Sequence, residues 1–357
     1  MTDQFIPIGV AIALTAIVLW KIFYNNFDMV INYAEKRREK DDISLIIKRN
    51  DEPTISINPH TVLPLASTMK IIIAIVFARQ VSDNIIDENA WIPKEELLKF
   101  YMEGTDGGAH KQWVRANSDK DQYTLKEIAI GMIAYSSNAN TEFLMNYLGL
   151  EAINLLPASL HMKSHTPIFP IVSSLYIPSY IETKEKVTDK NDLLKRLEGM
   201  SREEYIDCSL EIHEHLAANE QRGYMDEVKL DVEFQKIWSD RLPAASAQDY
   251  LTLMQVINRR GTFDDKMQRC IEEILGYALY IHPANRKWIE HGGMKGGSTL
   301  FVFTHASYTT DKEGNQTEVV FLANNLNVLN SRKLQRNFNS FLLHLLTNKE
   351  FRKKISS

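Results

Sequence analysis

The chain opens on an unbroken apolar run. FIPIGVAIALTAIVLW (residues 5–20) carries no charge, and IFY extends it beyond Lys21. About 20 such residues span a bilayer as a helix, and Trp20, Phe23 and Tyr24 stand where interfacial aromatics anchor one. Residues 5–24 therefore read as a single-pass transmembrane anchor. No small-residue cleavage site follows, which predicts retention rather than removal as a signal peptide. Residues 25–41 read as a polar, partly helical spacer.

Beyond the spacer the period changes. DISLIIKRND and EPTISIN alternate as two short strands joined by a turn. From Ser67 to about Gly261 the pattern is helical. TLKEIAIGMIAY (124–135) starts on a capping box of Thr124 and Glu127, and SAQDYLTLMQVINRRG (246–261) runs from Ser246 as N-cap to Gly261 as stop. Strands return in STLFVFTHASY (298–308) and TEVVFLANNL (317–326), which flank a turn holding Asp311, Gly314 and Asn315. An amphipathic helix, SRKLQRNFNSFLLHLL (331–346), closes the pattern. Strands from both ends around a helical middle predict an α+β fold: one antiparallel sheet and a large helical subdomain, over residues 42–350. Residues 182–240 are highly charged and read as an insertion of solvated helices, a candidate lid without chemistry of its own.

Charge and composition narrow the function. A net charge of −5 with no long basic block argues against nucleic-acid binding. Two cysteines, Cys208 and Cys270, are too few for a disulfide scaffold and lack zinc spacing. EIHEH (211–215) puts His213 and His215 two apart, on different helical faces, so no metal is expected. No cofactor is expected either. The polar side of the anchor raises a conflict: Lys21, Lys36, Arg37, Arg38 and Lys40 all follow it, which by the positive-inside rule keeps the domain cytoplasmic.

The candidate chemistry starts in PLASTMKIIIAIV. Ser67 and Lys70 are spaced i, i+3 and share a helical face. A lysine among isoleucines is desolvated, which lowers its pKa and fits it to take a serine proton. Such a pair also needs a proton relay and oxyanion donors. Ser82-Asp83-Asn84 offers a literal S-D-N, yet it lies at the far end of the same helix, ~20 Å from Ser67 at 1.5 Å per residue. Ser136-Ser137-Asn138, directly after the capped helix, is the better match. Lys295-Gly296-Gly297, in HGGMKGGSTLFVF, opens a strand and supplies the third element.

With these three ordered motifs the chain resembles the class A β-lactamase and penicillin-binding protein superfamily of serine hydrolases. The resemblance implies a β-lactamase/transpeptidase-like fold and a membrane-anchored, monomeric acyl-hydrolase needing no cofactor. Ser67 would be the acylated nucleophile, Lys70 its base and Ser136 the proton shuttle. Lys295 would support Ser136 and the substrate carboxylate. Asn138, Gly297 and Ser298 would bind substrate, with the backbone N–H groups of Ser67 and Ser298 as the oxyanion hole. The implied substrates are β-lactams, D-alanyl cell-wall peptides or related esters and amides, which would put the domain outside the cytoplasmic membrane. FYMEGTDGGAHKQW (100–113) and HTPIFPIV (165–172) are expected to border the cleft.

Two departures qualify this. Gly296 stands where the family carries a threonine hydroxyl that contacts the substrate carboxylate. Residues 152–181 contain no Asp or Glu where class A enzymes keep a deacylating glutamate, and Glu182 follows without that context. Hydrolysis of the acyl-enzyme is therefore expected to be slow. The alternative is a catalytically idle relative that uses the cleft for binding only.

Overall fold

The structure, a computed structural model, describes residues 27–52 and 54–356. The expected anchor, residues 5–24, lies outside them. Among the described residues no helix is long and apolar enough to cross a membrane.

Five strands form the main antiparallel sheet: β1 (Ile43–Arg49), β2 (Ile55–Ile57), β3 (Ile289–Ser298), β4 (Phe303–Asp311) and β5 (Gln316–Ala323). Their spatial order is β2-β1-β5-β4-β3, so the sheet joins both ends of the domain as the pattern predicted. Period 2 sets its two faces. Ile43, Leu45 and Ile47 of β1 join Val319 and Phe321 of β5 in one core, while Ile46, Val320 and Leu322 face the other. The first core is closed by helices α1 (Asp28–Lys36) and α8 (Val328–Thr347). The second holds α2 (Lys70–Ser82), α3 (Asn138–Leu148), α6 (Ala247–Arg259) and α7 (Asp265–Tyr280).

The capping box on Thr124 forms as expected, with Glu127 reaching back to the Thr124 backbone. Its helix does not run as one α-helix to Tyr135, because Gly131–Tyr135 widens into a π turn. One strand boundary is also corrected. Lys295 does not open a strand; it lies inside β3, which starts at Ile289, and the expected strand 298–308 is split by a turn after Ser298. Four glycines in HGGMKGGS masked β3, since glycine is depleted in strands.

The charged insertion is not merely solvated. Helices α4 (Arg202–Ala217) and α5 (Val232–Arg241) build a third core around Phe169, Leu193, Leu197, Tyr205, Ile212 and Phe234. That core grips the segment 168–176 beside the cleft. The expectation of a stretch exposed to solvent is corrected: apolar residues at helical spacing were outnumbered, though not displaced, by charges on the outer faces.

Candidate active site

Ser67 sits in a single 3₁₀ turn, Ala66–Met69, that feeds α2. The turn is fixed from the sheet. Thr304 of β4 donates from Oγ1 to Leu65 O at 2.8 Å and shares a 2.7 Å hydrogen bond with Thr68 Oγ1. The edge strand β3 closes against the same turn. A Cβ on Gly297 would lie 2.5 Å from Ser67 N and 2.6 Å from Thr304 Oγ1, so only glycine permits this approach. Ser298, the next residue, lines the cleft with Ser67. Ala66 takes φ +44° and Ser136 φ +69°. Left-handed conformations at non-glycine residues cost free energy and cluster where structure serves function.

The two lysines meet at Ser136. Lys70 is fully buried, and its Nζ lies 2.8 Å from Ser136 O, 2.8 Å from Asn138 Oδ1 and 3.3 Å from Ser136 Oγ. Lys295 Nζ donates to Gly296 O at 2.6 Å and to Ser136 Oγ at 3.1 Å. Burial pushes the Lys70 ammonium well below its usual range, and the Lys295 charge adds to this, while Asp106 and Glu142 oppose it. Burial alone holds Lys295 at about 7. A neutral Lys70 has two N–H groups and one lone pair. Two of its neighbours, the Ser136 carbonyl and the Asn138 amide oxygen, can only accept, which leaves the lone pair for a hydroxyl. With Lys295 donating to the same Ser136 oxygen, the Ser136 proton is the one free to move. No hydrogen bond among the described residues engages the Ser67 hydroxyl.

Ser67, Ser136 and Asn138 border one cleft of about 590 Å³ with Gly296, Gly297 and Ser298. Thr105, Asp106 and Gly107 form one rim, from the segment expected there, and Ile171 forms another, from HTPIFPIV. The literal S-D-N at Ser82 lies elsewhere: Ser82 bonds Asp264 at 2.7 Å and Asn84 bonds Lys266 at 2.7 Å, tying α2 to the start of α7.

Several residues of the site carried no sequence signal. Trp238 and Gln235 reach the cleft from α5 and Gln335 from α8, elements assigned no chemistry. Glu142 is fully buried one turn after Asn138 and accepts from Val172 N, Ser173 N (2.9 Å) and Ser173 Oγ (2.8 Å). The insertion holds the same segment by its carbonyls: Ser209 Oγ donates to Pro170 O, and Trp238 Nε1 to Ile171 O at 2.9 Å. His213, expected on a solvated face, is instead buried, 3.4 Å from Ser173 Oγ and stacked on Phe100. A lone acid in NANTEFLMNYL, otherwise free of charge, was the one available clue to Glu142.

Residues 29–278 match the family described as "Beta-lactamase enzyme family". The chain belongs to the β-lactamase enzyme family. No curated protein matches it. Solved structures share its fold at low identity. A β-lactamase from Chitinophaga pinensis is 13% identical, with 88% of this chain and 98% of that one covered at a TM-score of 0.53. A point mutant of PBP-A, in acyl-enzyme complex with penicillin G, is 14% identical over 88% and 96%, at 0.52. A point mutant of the class A β-lactamase of the last common ancestor of Gram-negative bacteria is 12% identical over 90% and 99%, at 0.54. The β-lactamase family member described here thus keeps the fold expected from its three motifs.

Proposed function

We propose that the protein is a serine acyl-hydrolase that forms an acyl-enzyme on Ser67 with an ester or amide of the family's broad class, β-lactams and D-alanyl peptides among them. The observation that carries this reading is Ser136 Oγ held within 3.3 Å of Lys70 and 3.1 Å of Lys295, beside a cleft that also exposes Ser67. In this scheme Lys70, its pKa lowered by burial, turns its lone pair from Ser136 Oγ to take the Ser67 proton as Oγ attacks the carbonyl carbon. Ser136 passes a proton to the leaving group, and Lys70 returns one to Ser136. The N–H groups of Ser67 and Ser298 receive the oxyanion, and the Asn138 amide N–H₂ faces the substrate while its oxygen is engaged by Lys70.

Deacylation is the slow half. Among the described residues lining the cleft the one carboxylate is Asp106, and its oxygens accept from Gly108 N and His110 N. Glu182 pairs with Lys229 at 3.0 Å, and Glu142 is spent on backbone N–H groups. A water over the ester therefore has no dedicated base. The run 5–24 supports a membrane anchor, and the cell-wall substrates of the resembled superfamily favour a domain outside the cytoplasmic membrane over the placement that the basic residues after the run indicate; a C-terminal alkaline phosphatase fusion is then active.

Intact-mass spectra with phenylacetyl esters and penicillins test the reading. One acyl group is expected on Ser67, absent in Ser67→Ala. Failure of every acyl donor to add mass would leave a binding-only cleft.

A further inference from the structure

The charge inventory of the cleft is unusual for a site that would take a carboxylated substrate. Among the described residues that line it there is no arginine and no lysine, and its one formal charge is the half-exposed Asp106. The two nearby lysines are both buried behind the surface, and burial lowers the pKa of each. Lys70 points its Nζ at Ser136 and Asn138, and Lys295 gives its shortest hydrogen bond to the backbone carbonyl of Gly296. His305, on β4 opposite Gly296, is buried against Phe338 and held near 3, so it carries no charge at neutral pH.

Nor does a crowded backbone explain the missing groups. A Cβ on Gly296 would meet nothing closer than Thr304 O at 3.6 Å, so a side chain fits where none is present. The remaining walls are uncharged: Ile171, Trp238, Leu242, Leu300 and Phe303 with Gln235 and Gln335. A carboxylate bound here would lose its water, gain no exposed cation and share the cleft with Asp106.

We infer that this enzyme selects acyl donors without a free carboxylate: neutral esters, or amides with an uncharged leaving group, set against an apolar wall. The inference rests on the acyl-hydrolase reading of Ser67 and narrows it. In the step concerned the Ser67 Oγ–acyl bond forms, the bond from acyl carbon to leaving oxygen or nitrogen breaks, and the Ser67 proton ends on the leaving group. A neutral leaving alcohol departs from this cleft without leaving an anion beside Asp106.

Matched pairs isolate the carboxylate. Second-order rates of Ser67 acylation, read by intact mass, are compared for benzylpenicillin against its methyl ester and for 3-carboxyphenyl phenylacetate against its methyl ester. The neutral member of each pair is expected to react about tenfold faster or more. Asp106→Asn should narrow the ratio, and so should Gln335→Arg, which adds a cation at an exposed position if the Asp106 turn does not tolerate change. Equal rates, or faster reaction of the acids, would overturn the inference and leave the Ser67 reading standing. Absence of label from all four compounds would overturn both.

Discussion

Asn138 and Glu142 stand one turn apart on α3, and each anchors a buried ionisable cluster of a different kind. At Asn138 two lysines converge on the hydroxyl of Ser136, beside a cleft that Ser136 and Ser67 both line. At Glu142 the carboxylate accepts two backbone N–H groups and a hydroxyl from Val172 and Ser173, with His213 3.6 Å away. The carboxylate there is committed to donors within the protein, although His213 Nε2 has no partner. Burial desolvates both clusters, so burial alone does not make a group catalytic. What separates them is whether a valence remains for the substrate. The first cluster is arranged for chemistry, and the second holds the wall of the cleft in place.

Exchanging the two clusters' side chains for inert ones should separate rate from stability. Lys70→Met is expected to slow acylation by about 10³-fold, the scale of a lost general base, at a stability cost of about 1–2 kcal/mol, since the two acceptors it strands, Ser136 O and Asn138 Oδ1, belong to residues that border the cleft. Glu142→Ala strands two backbone donors and a hydroxyl, and is expected to cost about 3 kcal/mol in denaturant unfolding. Glu142→Gln, which can still accept from Val172 and Ser173, should recover part of that loss. If Lys70→Met unfolds the protein, or Glu142→Ala leaves its stability intact, the contrast is wrong.

A smaller effect lies in the pH dependence. Lys295 is held at about 7 in the fold against 10.5 for a free lysine. Between those values the unfolded chain binds the additional proton, so stability rises with pH across this window, and the contribution is lost as pH falls towards 7. The slope for one such proton is at most ~1.4 kcal/mol per pH unit. Urea unfolding from pH 7 to 10 should show this rise, and Lys295→Met should flatten it. Lys70 shifts in the same direction and keeps part of the slope in that variant.

The proposed catalytic cluster was legible because its residues are chemically improbable where they stand. A lysine in LASTMKIIIAIV demands an explanation, and the ordered SSN and KGG motifs supply one. The sheet was legible because β1 and β5 are short runs rich in Ile, Val and Leu, buried on both faces, whereas the glycines of β3 hid a strand. The clamp on residues 168–176 was not legible. Ser209 and His213 act through single hydrogen bonds to Pro170 O and Ser173 Oγ, and Trp238 Nε1 donates to Ile171 O and Ser174 Oγ. Their meaning depends on α4 and α5 packing beside a loop some 40–70 residues earlier in the chain, which no local pattern encodes. Gln335 is a sharper case: its place at the cleft follows only from how α8 crosses the sheet.

Ser67 is proposed to be acylated in a site where, among the described residues, no carboxylate is free to activate the water that would release the acyl chain. A pulse–chase on the intact protein tests it most directly: brief exposure to a phenylacetyl ester, removal of excess reagent, then the mass of the protein followed over time. Rapid, stoichiometric addition on Ser67 and decay far slower than formation are expected. Decay as fast as formation, with steady turnover and no accumulated adduct, would contradict it.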